Sequence, residues 1–463
     1  MQLISPTDSI FLLGESREHP MHVGGLQLYR PPEGAGPDFV RELYVSMMEH
    51  TDLQPTFRKR PATVLGGIAN LGWAFDNDVD LDYHLRRSAL PQPGRVLDLL
   101  ALVSRVHGTL LDRHRPLWEA YLIEGVNDGR FAIYTKVHHS LIDGVSALKL
   151  TERALSEDPA DSEIRVPWDL PPRERERATP EPRESRGTLA AIPGLSTAAG
   201  TLGSLAGLVP STLGLARAAL FEQQLTLPFS APKTMFNVNI GGARRVAAQS
   251  WPLERLRRVK EAAGVTINDA ILAMCSGALR AYLLEHSGLP ETPLIAMVPV
   301  SMRDDDTADS GGNQVGAILC NLATDVDDPA VRLEAISDSM RGNKKIFSEL
   351  PKTQALALSA MNIAALGLGM IPGFVSTTPP PFNIVISNVP GPRKPLYFKG
   401  ARLDGNYPFS IVLDGQALNI TMANNGDNLD FGLVGCRRSV PHLQRLLGHL
   451  ETSLKELERA VGA

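Results

Sequence analysis

The alternation of apolar and polar positions predicts helices and strands mixed along the whole chain. Apolar residues recur at helical spacing in residues 39–50 and 96–111, whereas residues 131–137 (FAIYTKV) alternate as a strand. The same criteria later predict helices over residues 251–263, 268–285 and 441–461, and strands over residues 294–299, 382–387 and 417–423. This mixture is typical of an α/β fold.

Two stretches without this regular mixture separate the predicted lobes. Residues 157–186 are rich in Pro, Glu and Arg, and we interpret them as an exposed linker. The charge-poor residues that follow predict one or two apolar helices. Because 463 residues exceed one ordinary core, we predict an N-terminal lobe over residues 1–156, a linker with its apolar segment over 157–232, and a C-terminal lobe over 233–463.

Composition and charge exclude several classes of protein. Hydrophobic residues make up 43% of the chain and charged residues 21%, which is a normal globular balance. The net charge of −5 gives no general attraction to nucleic acid, so we expect no nucleic-acid partner. The three cysteines are far apart and argue against a disulfide framework or a cysteine zinc site, and the first residues lack a signal-peptide pattern. We therefore expect a cytoplasmic protein.

Two apolar stretches bear on lipid contact, residues 187–216 and 353–392. Prolines and glycines interrupt both of them, and a membrane span needs about 20 mostly apolar residues in an unbroken helix. We therefore predict no membrane span. The expectation is that such segments lie on a membrane surface or line a lipid tunnel.

The sharpest candidate for chemistry is the segment HHSLIDG, which begins at His138 and ends at Gly144. It follows the predicted strand directly and precedes a helix pattern, so its side chains project from the end of a rigid element. Imidazole suits a general base, because its pKa of about 6.5 lies near neutral pH. We expect the Asp143 carboxylate either to reach back to a histidine ring nitrogen or to pair with an arginine, and we favour the pairing with an arginine. Gly144 permits a backbone conformation that other residues resist.

The adjacent histidines also raise the alternative of a metal site. Neighbouring side chains of a strand point to opposite faces, so only one of His138 and His139 faces a given ion. The sequence contains no HxH or HExxH spacing to support metal binding. We therefore predict no metal, and interpret His138 as a packed or hydrogen-bonded core residue.

A series of further segments resembles the wax ester synthase/diacylglycerol acyltransferase family, in particular its actinobacterial members, within the HHxxxDG acyltransferases. HHSLIDG alone resembles only the larger group, and the ordered set of segments carries the narrower resemblance. The segments are LISPTDSIFLLGESREHPMHVG from residue 3, PLW from residue 116, INDA from residue 267, VPVSMR from residue 298, ISNVPGP from residue 386 and LDGQALN from residue 413.

This resemblance implies two chloramphenicol-acetyltransferase-like lobes with a catalytic tunnel at their interface. It also implies that His139 is the general base, that Asp143 pairs with an arginine, for which Arg303 is the candidate, and that acyl-CoA is a cosubstrate rather than a permanently bound cofactor. Asn268 and Asp269 match a motif beside the site, where Asn268 would donate to the oxyanion. An equal alternative is that Thr266 or Asn268 is a helix N-cap.

Three other segments have structural interpretations that we prefer. The sequence of residues 387–392 predicts a tight loop, which is compatible with a role as a tunnel wall. We expect Trp118 to pack in the core rather than to contact the substrate. The basic residues Arg58, Lys59 and Arg60 are candidates for a coenzyme A phosphate, although a solvated face is the simpler interpretation. The residues that bind coenzyme A are otherwise not indicated.

The first hypothesis for function is O-acylation of diacylglycerol by acyl-CoA, with long-chain alcohols as further acceptors that give wax esters. A second is an acyltransferase that uses CoA or a carrier protein with a non-glyceride alcohol or an amine. A third is a non-catalytic lipid-binding protein. We also expect peripheral contact with the inner face of the plasma membrane or with lipid droplets.

Overall fold

The fold is an α/β arrangement of two six-stranded sheets, seen in a computed structural model that describes residues 2–64, 69–171, 228–301, 315–350, 352–369, 371 and 373–463. The predicted exposed linker is described only up to residue 171, and the prediction of exposure is wrong for this part. Val166 and Trp168 are 1% and 2% exposed and belong to a buried cluster of the first lobe, because their apolar side chains pack beside Trp118. The apolar segment 187–216 and Arg303 lie outside the described residues.

The first part of the chain forms most of one sheet and the helices around it. Its elements are β1 (Gln2–Leu3), α1 (Pro6–Gly14), β2 (His22–Arg30), α2 (Phe39–Met48), a 3₁₀ turn (Pro55–Arg58), β3 (Lys59–Val64), β4 (Ala69–Phe75), α3 (Leu81–His84), β5 (Leu85–Ala89), α4 (Val96–His107), β6 (Trp118–Glu124), β7 (Phe131–His138) and α5 (Gly144–Arg153).

The later part forms the second sheet and its helices. Its elements are β8 (Arg244–Pro252), α6 (Leu253–Ala263), α7 (Ile267–Glu285), β9 (Ile295–Ser301), β10 (Val315–Asn321), α8 (Pro329–Glu349), α9 (Lys352–Leu368), α10 (Phe374–Thr377), β11 (Ile384–Val389), β12 (Tyr397–Phe398), β13 (Ala401–Phe409), β14 (Leu418–Asn425), β15 (Asn428–Cys436) and α11 (Arg445–Val461).

The first sheet has the strand order β12-β13-β2-β7-β6-β5, and the second has the order β10-β9-β11-β14-β15-β8. A small third sheet pairs β1, β4 and β3. In the second sheet β11 runs parallel to both of its neighbours, β9 and β14. The two large sheets match the α/β fold class that the sequence predicts.

Strand β13 crosses between the two parts of the chain. It lies within residues 233–463, the range predicted for the C-terminal lobe, yet it pairs antiparallel with β2 in the first sheet. The second sheet consists only of strands that follow residue 243. The lobe boundaries themselves stay a prediction, and the structure adds that the first lobe is completed by a strand from the far end of the chain.

A shared core joins the two sheets. Helix α4 of the first lobe contributes Leu99 and Leu100 to the same buried cluster as Ala247 of β8 and Phe409 of β13. The backbone N–H of Val246 also donates to the Ser104 hydroxyl across the interface at 3.0 Å. The lobes are therefore held by apolar packing as well as by hydrogen bonds.

Helix α7 is the central helix of the second lobe. Among the described residues it is the one helix long and apolar enough to cross a membrane, but 72% of its apolar window is buried within the protein. Its first turn is fixed by a capping box, in which the Thr266 hydroxyl accepts from the Asp269 N–H and the Asp269 carboxylate accepts from the Thr266 N–H. It is therefore built as a core helix.

Within the described residues the predicted helices and strands are present, with ends shifted by up to four residues, as at the end of α4 and the start of α11. The helix predicted over residues 251–263 begins two residues later than predicted, at Leu253, because Trp251 belongs to strand β8. Pro252 explains this boundary, since its fixed φ suits the residue just before a helix and ends the strand. Trp251 is almost fully buried between the sheet and the last helix.

Candidate active site

The HHSLIDG segment lies where strand β7 passes into helix α5, as the sequence predicts. The β7 ladder with β2 pairs His138 with His22, and the next residue continues it, because the His139 N–H donates to the Met21 carbonyl at 2.9 Å. The two histidines thus occupy successive positions of an extended backbone. Their side chains have different surroundings, as expected for opposite faces of a strand.

Helix α5 brings the segment against the second lobe. Its residues Val145 and Leu148 pack on Val389 at the end of β11 and on Ala423 of β14. The segment is therefore positioned at an interface between the lobes.

His138 is fully buried and hydrogen-bonded. Its Nδ1 lies 2.6 Å from the Ser140 hydroxyl, and its Nε2 lies 3.4 Å from Oε1 of Glu15. Glu15 also pairs with Arg113, whose Nε lies 3.0 Å from Oε2. Burial alone would raise the pKa of the Glu15 carboxyl, but His138 and Arg113 outweigh this and hold the pKa below its ordinary value. These contacts give His138 the structural role that the sequence favours.

His139 is only partly buried, in contrast to its neighbour. Its ring stacks on Phe11 of helix α1, with centroids 4.1 Å apart and planes 21° apart. Burial lowers the pKa of His139 below its ordinary value, His138 lowers it further, and the nearby carboxylate of Asp143 opposes both. The imidazole is thus oriented by an aromatic ring and favoured in its neutral form, the form a general base needs.

Asp143 and Gly144 begin helix α5. The Asp143 carboxylate is the N-cap: it accepts from the Ser146 N–H at 2.9 Å and from the Ser146 hydroxyl at 2.8 Å. The prediction that Gly144 has a backbone conformation that other residues resist is wrong, because it is the first helical residue, its φ is not positive, and a Cβ there would lie 4.0 Å from Val23. The predicted partner Arg303 lies outside the described residues, so the ion pair with Asp143 stays a prediction.

Asn268 and Asp269 lie in the first turn of α7. Thr266 is the N-cap, so the alternative in which Asn268 caps the helix is wrong, because the helix begins one residue earlier at Ile267. The Asp269 carboxylate completes the capping box and also accepts a hydrogen bond from the Ser337 hydroxyl at 3.3 Å. The Asn268 side chain is partly exposed and forms no hydrogen bond with any residue that the structure describes.

One structural interpretation from the sequence is confirmed. Trp118 is a core residue: it is 2% exposed, stacks on His84 and Trp168, and donates to the Phe57 carbonyl at 2.9 Å. The loop predicted over residues 387–392 is wrong for its first half, because residues 387–389 continue strand β11 in the ladder with β14. The chain leaves the strand at Pro390, and Gly391 lies so close to β14 that a Cβ on it would be 2.1 Å from the Asn424 carbonyl oxygen.

Of the three early basic residues, Arg58 forms hydrogen bonds with residues of the adjacent loop. It donates to the Asp76 carbonyl at 3.0 Å and also to Asn77.

Sequence reasoning missed three residues that hold the histidines. Phe11, Glu15 and Arg113 belong to segments distant in sequence from His138. The sequence signal for two of them is that Phe11 and Glu15 lie in the segment from residue 3 that carries the family resemblance. Over the described ranges, no group of three His, Cys, Asp or Glu side chains is placed to hold a metal ion.

Comparison with known families covers both parts of the chain. The wax ester synthase/diacylglycerol acyltransferase catalytic domain matches residues 4–271, and the WS/DGAT C-terminal domain matches residues 311–458. The chain belongs to the wax ester synthase/diacylglycerol acyltransferase family. As a member of the WS/DGAT family it is an acyltransferase, and the resemblance predicted from the segments around HHSLIDG is confirmed.

Individual relatives in the WS/DGAT family align over nearly their whole length. A probable diacylglycerol O-acyltransferase of Mycobacterium tuberculosis is 65% identical over 462 residues, covering 100% of both chains. The O-acyltransferase WSD of Acinetobacter baylyi is 42% identical, covering 100% of this chain and 98% of its own.

Solved structures support the fold. The wax ester synthase/diacylglycerol acyltransferase of Marinobacter aquaeolei VT8 is 41% identical and superposes with a TM-score of 0.80 over 100% of both chains. The first condensation domain of the calcium-dependent antibiotic synthetase shares the fold at 18% identity and a TM-score of 0.55, covering 100% of this chain and 96% of its own. The expected relation of the WS/DGAT fold to two-lobed acyltransferases is thereby confirmed.

Proposed function

We propose that this protein transfers a fatty acyl group from acyl-CoA to the hydroxyl of diacylglycerol, giving triacylglycerol, and to long-chain alcohols, giving wax esters. The observation that carries the proposal is the partly exposed imidazole of His139. It is stacked on Phe11 and placed where helix α5 meets the second lobe, in a chain of the WS/DGAT family.

The proposed reaction is a direct attack without an acyl-enzyme. His139 takes the proton of the acceptor hydroxyl as its oxygen bonds to the thioester carbonyl carbon. The tetrahedral intermediate then collapses, the carbon–sulfur bond breaks, and the imidazolium returns the proton to the departing sulfur. Both substrates must be bound together for this sequence to occur.

Two supporting roles belong to the same proposal. The carbonyl oxygen becomes negatively charged in the intermediate, and a preorganised N–H donor stabilises that charge. The Asn268 amide, partly exposed and without a hydrogen bond to a described residue, is the donor that we propose. We also keep the proposal that Asp143 pairs with Arg303 in addition to capping α5.

We propose that the reaction takes place on the cytoplasmic side of a lipid surface. Helix α1, which supplies Phe11 to the site, exposes the apolar side chains of Ile10 and Leu13 on its outer side, and Leu3 before it is 82% exposed. Exposed apolar side chains grouped beside a lipid-consuming site favour contact with a membrane or a lipid droplet.

A product analysis tests the proposed substrates. Purified protein is incubated with labelled acyl-CoA and, in separate reactions, diacylglycerol, a long-chain alcohol, and an amine of matched chain length. We expect labelled triacylglycerol and wax ester with release of free thiol, and no labelled amide. Transfer only from an acyl carrier protein would contradict the CoA donor. Lipid binding without thiol release would instead indicate a non-catalytic protein.

The pH profile of kcat/KM tests the proposed base. Because the neutral imidazole is the active form and burial lowers its pKa, activity should fall only as the pH drops below about 6.5, the ordinary histidine value. Asp143→Asn removes the charge that raises this pKa but keeps a capping side chain, so the acidic limb should move to still lower pH. An acidic limb of kcat/KM with its midpoint above the ordinary histidine pKa, or a midpoint that moves to higher pH in Asp143→Asn, would argue against His139 as the base.

A further inference from the structure

A cavity of about 540 Å³ lies between the lobes and is rich in arginine. Its first-lobe wall is the turn after α1, with Arg17 and Glu18, together with the end of α4, with Arg105. Its second-lobe wall is the start of β8, with Arg244, and the residue after β15, Arg437. The volume lies within the range usual for sites that take small molecules.

The cavity is strongly positive for a chain that is negative overall. Four arginines and one glutamate among the lining residues leave a local charge of +3, while the whole chain carries −5. Guanidinium groups bind phosphate through paired N–H donors and keep their charge at any physiological pH. A phosphorylated ligand is therefore the chemistry that this cavity fits.

Arg244 supplies a second observation, because its guanidinium is buried without a carboxylate at ion-pair distance among the described residues. It is 5% exposed, and its guanidinium donates to the carbonyl oxygens of Gly241 and, at 2.6 Å, of Glu18. Burial lowers its pKa to about 10, and the more distant carboxylates of Asp414 and Glu18 only partly oppose this effect. A buried guanidinium with no ion-pair partner favours the binding of an anion.

Backbone contacts hold the two walls together. A Cβ on Gly242 would lie 2.5 Å from the Arg17 carbonyl oxygen, and a Cβ on Gly108 would lie 3.3 Å from the Arg244 nitrogen. Glycine at these positions lets the turn after α1, the end of α4 and the start of β8 approach closely. The arginines are thus carried on a rigid frame.

The first-lobe wall of the cavity is joined to the strands that carry the histidines. Gly108 follows His107, whose carbonyl accepts from the buried ring of His22 at 2.8 Å, and His22 is the cross-strand partner of His138. On the same wall, Glu18 lies three residues before Met21, whose carbonyl accepts from the N–H of His139. The cavity and the candidate site are therefore built on one frame.

We propose that the cavity lined by Arg17, Arg244 and Arg437 binds the phosphate groups of coenzyme A and orients the thioester arm toward His139. This assignment rests on the proposed function, in which acyl-CoA is the donor. Coenzyme A carries a ribose phosphate and a diphosphate at one end and its sulfur at the other. The positive cavity suits the first end and the partly exposed imidazole suits the second.

Binding measurements on the full-length protein test the assignment. CoA and pantetheine, which has the same thiol arm but no phosphate, are titrated separately by calorimetry into wild type, Arg17→Ala and Arg437→Ala. Both arginines are exposed, so neither substitution should disturb the core. We expect each to weaken CoA binding about 10-fold, the lower end for losing a hydrogen bond to a charged group, and to leave pantetheine binding unchanged.

Arg438→Ala is the matched control. Arg438 is adjacent in sequence and exposed, but it donates to the Asn239 carbonyl and does not line the cavity, so its variant should bind CoA like wild type. In turnover, Arg17→Ala and Arg437→Ala should raise KM for acyl-CoA with little change in kcat.

Two outcomes would overturn the assignment of the cavity to coenzyme A, and only the second would also reject acyl-CoA as the donor. If wild type binds CoA and uses acyl-CoA, but both cavity variants bind CoA equally well, the site is wrong and the proposed function stands. If wild type binds no CoA and accepts acyl groups only from a carrier protein, the donor is wrong and the site fails with it.

Discussion

His139→Ala should lose about 10²- to 10⁴-fold in turnover with acyl-CoA and diacylglycerol, the usual contribution of a general base. The ring is partly exposed and its main interaction with a side chain is the stack on Phe11, so its removal leaves no buried charge without a partner. The main-chain hydrogen bond to Met21 does not depend on the side chain. The variant should therefore fold normally, with circular dichroism and thermal midpoint close to wild type.

His114→Ala is a suitable control for the loss of a histidine. Its ring is 91% exposed and lies on the surface next to Asp112, so this variant should keep full activity. Product formation from labelled acyl-CoA measures both variants under the same conditions. Near-full turnover by His139→Ala would reject this residue as the base, whatever the effect on acceptor preference.

Glu119→Leu should destabilise the protein by about 3–5 kcal/mol, because it leaves a buried lysine without its carboxylate. Glu119 and Lys136 are cross-strand partners on β6 and β7, with Oε2 and Nζ 3.0 Å apart and the lysine side chain 0% exposed. Without the glutamate, the partners of Nζ among the described residues are the carbonyl oxygens of Val106 and Thr109. Burial already lowers the pKa of Lys136, and Glu119 opposes that effect.

The double variant Glu119→Leu/Lys136→Met removes both charges. It therefore distinguishes the effect of losing the ion pair from the effect of leaving Lys136 buried without its partner. Apolar replacement of a buried ion pair is often close to neutral. The other partners of Glu119, Arg86 and Tyr121, keep the hydrogen bond between them, so the double variant should recover most of the lost stability. The free energy of unfolding in urea, followed by tryptophan fluorescence, reports both. A single variant as stable as wild type would mean that Lys136 is solvated or paired in another way.

The sequence predicts best those features that depend on local pattern. The strand over residues 131–138 alternates strongly, and the histidines follow it directly, so their placement at a strand end could be inferred. The opposite surroundings of His138 and His139 follow from the two-residue period of a strand. The helix boundary at Leu253 was missed because an apolar run around Trp251 fits either element when only its periodicity is considered.

Features that depend on distant parts of the chain could not be predicted. Glu15 meets His138 only because α1 folds over the end of β7, and Arg113 joins them from a loop before β6. The arginine cavity likewise combines side chains from four segments, none of which is a basic cluster in the sequence. In the basic cluster of Arg58, Lys59 and Arg60, by contrast, Arg58 is hydrogen-bonded to the adjacent loop.

The crossing of β13 has a consequence for synthesis of the protein on the ribosome. Strand β2 is made long before residues 401–409, which pair with one of its edges. While the intervening chain is being made, that edge presents unpaired N–H and carbonyl groups, which are prone to pair with other polypeptides. We therefore expect the nascent chain to depend on chaperones until residues 401–409 have been made.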